Sequence, residues 1–188
     1  HNYDMWVAGR IESGRNGITL MNIFNNNTIE FFYDDIINID NRSIFSILDM
    51  EDEVWFGGQG LLTYDKENKI WTDKSSFLKI NDNRITKIIQ VNQDIWIGTI
   101  DGLVIYNTIS KKIIMNYISE YLNDYHILDI FNKDSIVFIS SNFGLEVIDI
   151  KNNKIYNGNE FGYSDNNFSY PSSKFSFTDL FYYDQILY

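Results

Sequence analysis

The sequence contains no cysteine, one proline, two histidines, and only 15 Lys and Arg against 26 Asp and Glu in 188 residues. Without cysteine there is no disulfide, no thiolate nucleophile and no cysteine-ligated metal. The formal net charge of −11 argues against nucleic acid and anionic membrane as partners, because a phosphate-binding surface needs clustered Lys and Arg. No apolar run approaches the ~18–20 residues of a membrane-spanning helix; the longest, such as Ile136-Val-Phe-Ile139, are the size of a strand. No membrane insertion by this segment is expected. The opening residues His1-Asn-Tyr-Asp4 lack an initiator Met and both the basic and the apolar stretch of a signal peptide. A removed leader, or a piece of a longer chain, is the expectation.

Hydrophobic residues make up 44% of the chain and aromatics 16%, enough to exclude disorder and to build a substantial core. Their arrangement repeats. Met5-Trp6-Val7-Ala8-Gly9 recurs as Val54-Trp55-Phe56-Gly57 and Ile95-Trp96-Ile97-Gly98, more weakly as Val137-Phe138-Ile139-Ser140, and begins again at Ile186-Leu187-Tyr188. Taking the Trp position as marker, the spacings are 49, 41, 42 and 50 residues. Gly followed by an aliphatic residue comes shortly after each full copy, at Gly17-Ile18, Gly60-Leu61, Gly102-Leu103 and Gly144-Leu145. Three of these lead into Leu61–Asp65, Leu103–Asn107 and Leu145–Asp149. β-branched and aromatic runs broken by Asn, Asp, Lys and Gly predict four short strands per unit. For the second unit they are about 44–48, 53–57, 61–64 and 69–71, and for the third about 85–91, 95–98, 103–106 and 112–117. Asn25-Asn-Asn27, Asp65–Asn68 and Lys151-Asn-Asn153 read as tight hairpin turns in which Asn takes positive φ. No sustained helical period competes.

Tandem four-stranded units of about 40 to 50 residues are the signature of β-propeller blades, which bury their faces only by stacking on neighbours. The predicted fold is therefore all-β, with about four blades at 1–39, 40–81, 82–123 and 124–173. Residues 174–188 start a next blade or close onto the N-terminal one. Trp6, Trp55, Trp96 and Phe138 would fill the space between blades. A closed four-bladed ring, four modules of a seven- or eight-bladed ring, and a ring made by a homodimer all remain open; the abrupt ends favour the larger ring.

The motif apolar-Trp-apolar-Gly-x-x-x-Gly-Leu-x-x-Tyr-Asp, preceded by Asn-Arg-aliphatic, resembles the two-component regulator propeller repeat. It matches best from Asp40-Asn-Arg42 to Asp65 and from Asp82-Asn-Arg84 to Asn107. The first unit departs from it, with six residues (11–16) between Arg10 and Gly17, and the fourth replaces Trp and Gly by Phe138 and Ser140. The resemblance implies a bacterial periplasmic or extracellular sensor domain, often responding to carbohydrate. It carries no kinase, receiver or DNA-binding segment.

In a propeller the loop between second and third strands and the loop between blades emerge on one face, the usual binding surface. Three features fall there. Arg42, Arg84 and His126 each stand two residues after an Asp and could ring the channel, where Arg presents a planar fork to carboxylates or sugar hydroxyls; alternatively they tie turns. The segment 157–171 alternates Phe161, Tyr163, Phe168 and Tyr170 with amides and hydroxyls, as sugar stacking and protein interfaces both use; it could equally cover a blade edge. Arg10 and Arg15 belong to the polar loop of the first unit, Arg10 to Asn16, on the same face, either a binding loop or a tolerated insertion. Catalysis has little support: His126 is the only internal histidine and no Gly-x-Ser-x-Gly elbow is present. No EF-hand loop or sialidase Asp-box is present either. The expectation is a non-enzymatic recognition module without cofactor or metal, binding an oligosaccharide or other small ligand, with a protein-interaction or assembly scaffold as the alternative.

Overall fold

The computed structural model describes residues 4–10, 16–25, 27–32, 36, 43–79, 84–157, 182–183 and 186–187. The chain divides into two compact units, residues 1–77 and 78–188. The first holds a three-stranded antiparallel sheet, β1 (Asp4–Arg10), β2 (Asn16–Asn22) and β3 (Thr28–Phe32), in that order. It also holds a four-stranded sheet ordered β4 (Ile44–Asp49), β5 (Glu53–Gly58), β6 (Gly60–Asp65), β7 (Ile70–Asp73). The second unit repeats the four-stranded meander twice. One copy runs through β8 (Ile85–Val91), β9 (Asp94–Thr99), β10 (Gly102–Asn107) and β11 (Lys112–Ile114). The other runs through β12 (Ile127–Lys133), β13 (Ile136–Ser141), β14 (Gly144–Asp149) and β15 (Lys154–Asn157). Near the end, β16 (Tyr182–Tyr183) pairs with β17 (Ile186–Leu187). The strands of the second and third repeats lie within three residues of the positions expected from the β-branched and aromatic runs. The fold is all-β and its sheets are built like propeller blades.

Register explains why the repeat recurs. The marker aromatic always faces the third residue after the repeat's glycine: Trp6 opposite Leu20, Trp55 opposite Thr63, Trp96 opposite Ile105, and Phe138 opposite Val147. Central strands are covered on both faces, so Val54, Trp55 and Phe56 are buried in succession, as are Ile95, Trp96 and Ile97. Within the first unit, Trp6, Ala8, Ile18 and Phe31 of the first sheet pack on Val54, Phe56, Leu62, Tyr64 and Trp71 of the second. Within the second unit, Trp96, Leu103 and Ile105 pack with Ile127, Ile130, Val137, Ile139 and Ile148. Each such side chain contributes roughly 1.5–3 kcal/mol on burial. Trp55 and Trp96 are buried as core residues; Trp6 and Phe138 are half-buried.

The hairpin turns use repeated chemistry. Asp65, Asn107 and Asp149 each accept a hydrogen bond from the backbone N–H three residues on, at 2.8, 2.8 and 3.0 Å. Each turn ends in a left-handed residue, Lys69 (φ 58°), Lys111 (φ 54°) or Asn153 (φ 57°). Asn is expected in this conformation in the turns at 25–27, 65–68 and 151–153; among their described residues only the last turn has it, at Asn153, and residue 26 lies outside the described residues. At Lys69 and Lys111 the side-chain acceptor already closes the turn, and Lys tolerates the left-handed position as a single residue. Gly60, Gly102 and Gly144, with φ of 108°, 112° and 121°, occupy the position before the third strand where a β-carbon is disfavoured.

Besides a 3-10 turn at Ser75–Leu78, one helix was not foreseen. The strand expected over 112–117 ends at Ile114 and is followed by a short helix, α1 (Tyr117–Tyr121). Asn116 caps it, its side chain accepting from Ile118 and Ser119 N–H at 3.0 Å each, while the Ser119 hydroxyl accepts from Asn116 N–H at 3.0 Å. Burial of Ile118 and Leu122 against the blade core holds it in place. Five residues are too few to show a helical period in sequence, and isolated helices of this length do not form without such packing.

Candidate functional site

Three stretches of the second unit meet at one end of its sheets: the β9–β10 turn, residues 121–126 and the β13–β14 turn. Gly102 lies so close to the inter-sheet segment that a β-carbon would sit 3.0 Å from the Leu122 carbonyl oxygen and 3.2 Å from Asp124 N. Each sheet ties the residue before its first strand to the turn between its second and third. Arg84 O accepts from Ile100 N–H at 3.2 Å and His126 O from Asn142 N–H at 3.0 Å. The His126 N–H also donates to Asn142 Oδ1 at 2.9 Å.

These bonds show which residues are equivalent. In the first unit, Ser43 O accepts from Gln59 N–H at 3.1 Å, so Ser43 stands in register with Arg84 and His126. Arg42 precedes that position, because the second repeat reads Asn-Arg-Ser-Ile where the third reads Asn-Arg-Ile. The proposed basic ring therefore loses its register at the second blade. Arg84 is exposed and His126 half-buried, at equivalent places in neighbouring sheets. Arg42, Arg15, Phe161, Tyr163, Phe168 and Tyr170 lie outside the described residues; Arg10 ends β1, and only its backbone is described.

Side chains that sequence reasoning passed over come together beside His126. Tyr121, at the end of α1, packs on Tyr125 with ring centroids 5.7 Å apart, and Tyr125 packs on Phe143 at 4.5 Å. Tyr121 and Phe143 remain 42% and 56% exposed, so this tier presents aromatic surface to solvent. Beneath it Glu146 is only 4% exposed and accepts a long hydrogen bond, 3.5 Å, from the Tyr121 hydroxyl. Partial burial, the hydrogen bond with Tyr125 and the nearby Glu146 charge hold the Tyr121 phenol well above its ordinary range, so it stays neutral and serves as a hydrogen-bond donor. The β13–β14 turn is shaped by Ser141, whose hydroxyl accepts from Phe143 N–H at 3.1 Å and donates to Gly144 O at 3.3 Å. Thr99 does the same one blade earlier, with Asp101 N–H and Gly102 O at 3.0 and 2.8 Å. Phe143 thus occupies the place where the third repeat carries Asp101. A large hydrophobe in place of a polar counterpart was the available signal.

The arrangement offers aromatic faces, a phenolic donor, the Asn142 amide and a buried carboxylate within one small region. Such a set stacks and hydrogen-bonds a polar ring. Among the described residues no three His, Asp or Glu side chains come together as ligands of a metal ion would.

No family model and no curated protein matches this sequence. Among solved structures it is similar to the extracellular domain of the one component system BT4673 from B. thetaiotaomicron. The TM-score is 0.70 at 16% identity, over 95% of this chain and 23% of that one. It is also similar to the extracellular domain of the hybrid two component system BT3049 from the same organism, with TM-score 0.59 and 16% identity over 82% of this chain and 22% of that one. PorZ of Porphyromonas gingivalis, an essential bacterial surface component of the type-IX secretion system, gives 0.50 at 13% identity over 70% of this chain and 18% of that one. The chain spans less than a quarter of the length of each. What it shares with the extracellular domains of these bacterial signalling systems is the fold: an all-β chain of propeller-type blades.

Proposed function

We infer that this chain is a non-catalytic ligand-recognition part of a bacterial extracellular or periplasmic sensor, and that its ligand is an oligosaccharide. The observation carrying this reading is the solvent-facing tier of Tyr121, Tyr125 and Phe143 over the buried Glu146. A pyranose lays its C–H face on the rings and donates a hydroxyl to the exposed Asn142 amide oxygen. Arg84 and His126, at the same end of the sheets, would contact further sugar units. The likeness to extracellular domains of one- and two-component systems supports the sensory role. In such a protein ligand binding would shift an attached signalling module.

Thermal melts of the chain with a panel of oligosaccharides test the reading. A ligand at 100 times its Kd stabilises by about 2.7 kcal/mol, a shift of several degrees. Tyr125→Ala should cut that shift by roughly a fifth to a half, since each aromatic contact contributes about 0.5–1.5 kcal/mol. A cooperative melt that no sugar moves argues against the reading. It would favour the second one, an assembly scaffold at the cell surface, for which the likeness to PorZ is the specific support.

A further inference from the structure

The second blade carries a tryptophan where the third and fourth carry isoleucine. Trp71 pairs with Tyr64, Ile113 with Tyr106 and Ile155 with Ile148, so the three hold one position in the outermost strand. An aliphatic side chain evidently suffices to pack there; the indole adds an N–H. Trp71 lies among aromatic rings, with centroids 4.8 Å from Tyr64, 5.2 Å from Phe31, 5.2 Å from Phe56 and 6.3 Å from Trp6. Its Nε1 is buried and has no hydrogen-bond partner. Buried donors are nearly always paired, so one left open calls for an explanation.

Alongside it is a groove of about 490 Å³, lined by Ile29, Glu30, Phe31, Tyr64, Lys69 and Trp71. That volume falls within the roughly 300–1,000 Å³ of small-molecule sites. The groove lies between the outer strands β3 and β7, and the left-handed turn residue preceding β7 supplies Lys69. Its wall is aromatic, and its two charged groups have opposite signs.

We propose that this groove is a saccharide-binding site, distinct from the aromatic tier of the other unit and independent of it. The C–H face of a pyranose lies on the aromatic wall. A ring or hydroxyl oxygen accepts from Trp71 Nε1–H, one hydroxyl accepts from the Lys69 ammonium and another donates to the Glu30 carboxylate. A sugar fits because a single small ring must supply acceptors to two donors and a donor to one carboxylate while keeping an apolar face. An aliphatic or plain aromatic occupant would leave the buried Trp71 Nε1–H without a partner and would offer nothing to the exposed Glu30 and Lys69.

The indole region of a ¹⁵N–¹H correlation spectrum of the 188-residue chain reads this directly. Four tryptophans give four indole signals, and Trp71→Ile, which installs the residue of the third and fourth blades, identifies one of them. Maltose, cellobiose and N-acetylglucosamine are the probes, with free glutamate and tryptophan as non-sugar comparators. The expected result is a saturable downfield movement of the Trp71 indole proton with at least one sugar. Its apparent affinity should fall about tenfold or more in Glu30→Gln and Lys69→Met, as loss of a hydrogen bond to a charged group implies. Tyr125→Ala should leave it unchanged, which separates this site from the loop-face reading. A Trp71 signal unmoved by every sugar at tens of millimolar overturns the proposal. So does movement that survives both charge substitutions, or movement with the amino acids alone.

Discussion

Gly102 and Gly144 hold the same position in neighbouring blades and separate two costs of a β-carbon. Their φ values of +112° and +121° are both conformations that L side chains rarely adopt, so alanine at either carries strain of about 1–3 kcal/mol. At Gly144 the added carbon meets nothing within 4 Å, and strain is the whole effect. At Gly102 it would lie 3.0 Å from Leu122 O, 3.2 Å from Asp124 N and 3.3 Å from Asn123 Cα, all of them backbone. Relief requires the segment between α1 and Tyr125 to move, which adds about 1 kcal/mol or more. Urea denaturation of the wild type, the two single variants and the double variant would measure both costs. Gly102→Ala should be the more destabilising. Equal costs within about 0.3–0.5 kcal/mol, or a Gly144→Ala variant as stable as wild type, would refute the reasoning.

Other outcomes follow from single contacts. Asn116→Ala removes the acceptor of two N–H groups at the start of α1 and should cost about 1 kcal/mol in thermal melts, with Asn116→Asp close to wild type. Leu122→Ala, at a fully buried position, should cost about 2–5 kcal/mol and loosen Tyr121 and Tyr125 together. Hydrogen bonds from Asn68 and Asn152 hold the Asp65 and Asp149 carboxyls below their ordinary range. Carboxyls shifted this way stabilise the fold above the unfolded-state value near pH 4 and lose that contribution as pH falls through the lowered folded-state value. Asn68→Ala combined with Asn152→Ala should therefore lower stability at neutral pH and flatten its decline on acidification, as denaturation across pH would show.

The aromatic tier takes its parts from a short helix, an inter-sheet segment and a hairpin turn. Tyr121 and Tyr125 come from one stretch; Phe143 and Glu146 come from the next blade. Their meeting depends on Ile118 and Leu122 burying themselves against the core formed by both sheets. A comparable dependence places Trp71 beside Phe31, which lies in a different sheet.

Local chemistry made the strands, their turns and the blade repeat legible in the sequence. Runs of β-branched and aromatic side chains define a strand, Gly60, Gly102 and Gly144 announce positive φ, and Asp65, Asn107 and Asp149 close turns with acceptors three residues from their donors. None of this needs a distant partner. The register of Arg84 and His126 with Ser43 rather than Arg42 came from cross-strand hydrogen bonds, although the extra Ser43 between Arg and Ile was visible in the sequence. Helix α1, the Tyr121–Tyr125–Phe143 tier over Glu146 and the groove at Trp71 were decided by tertiary structure. Each is a set of residues from separate segments held together by packing between sheets, and no periodicity along the chain encodes which of them will touch.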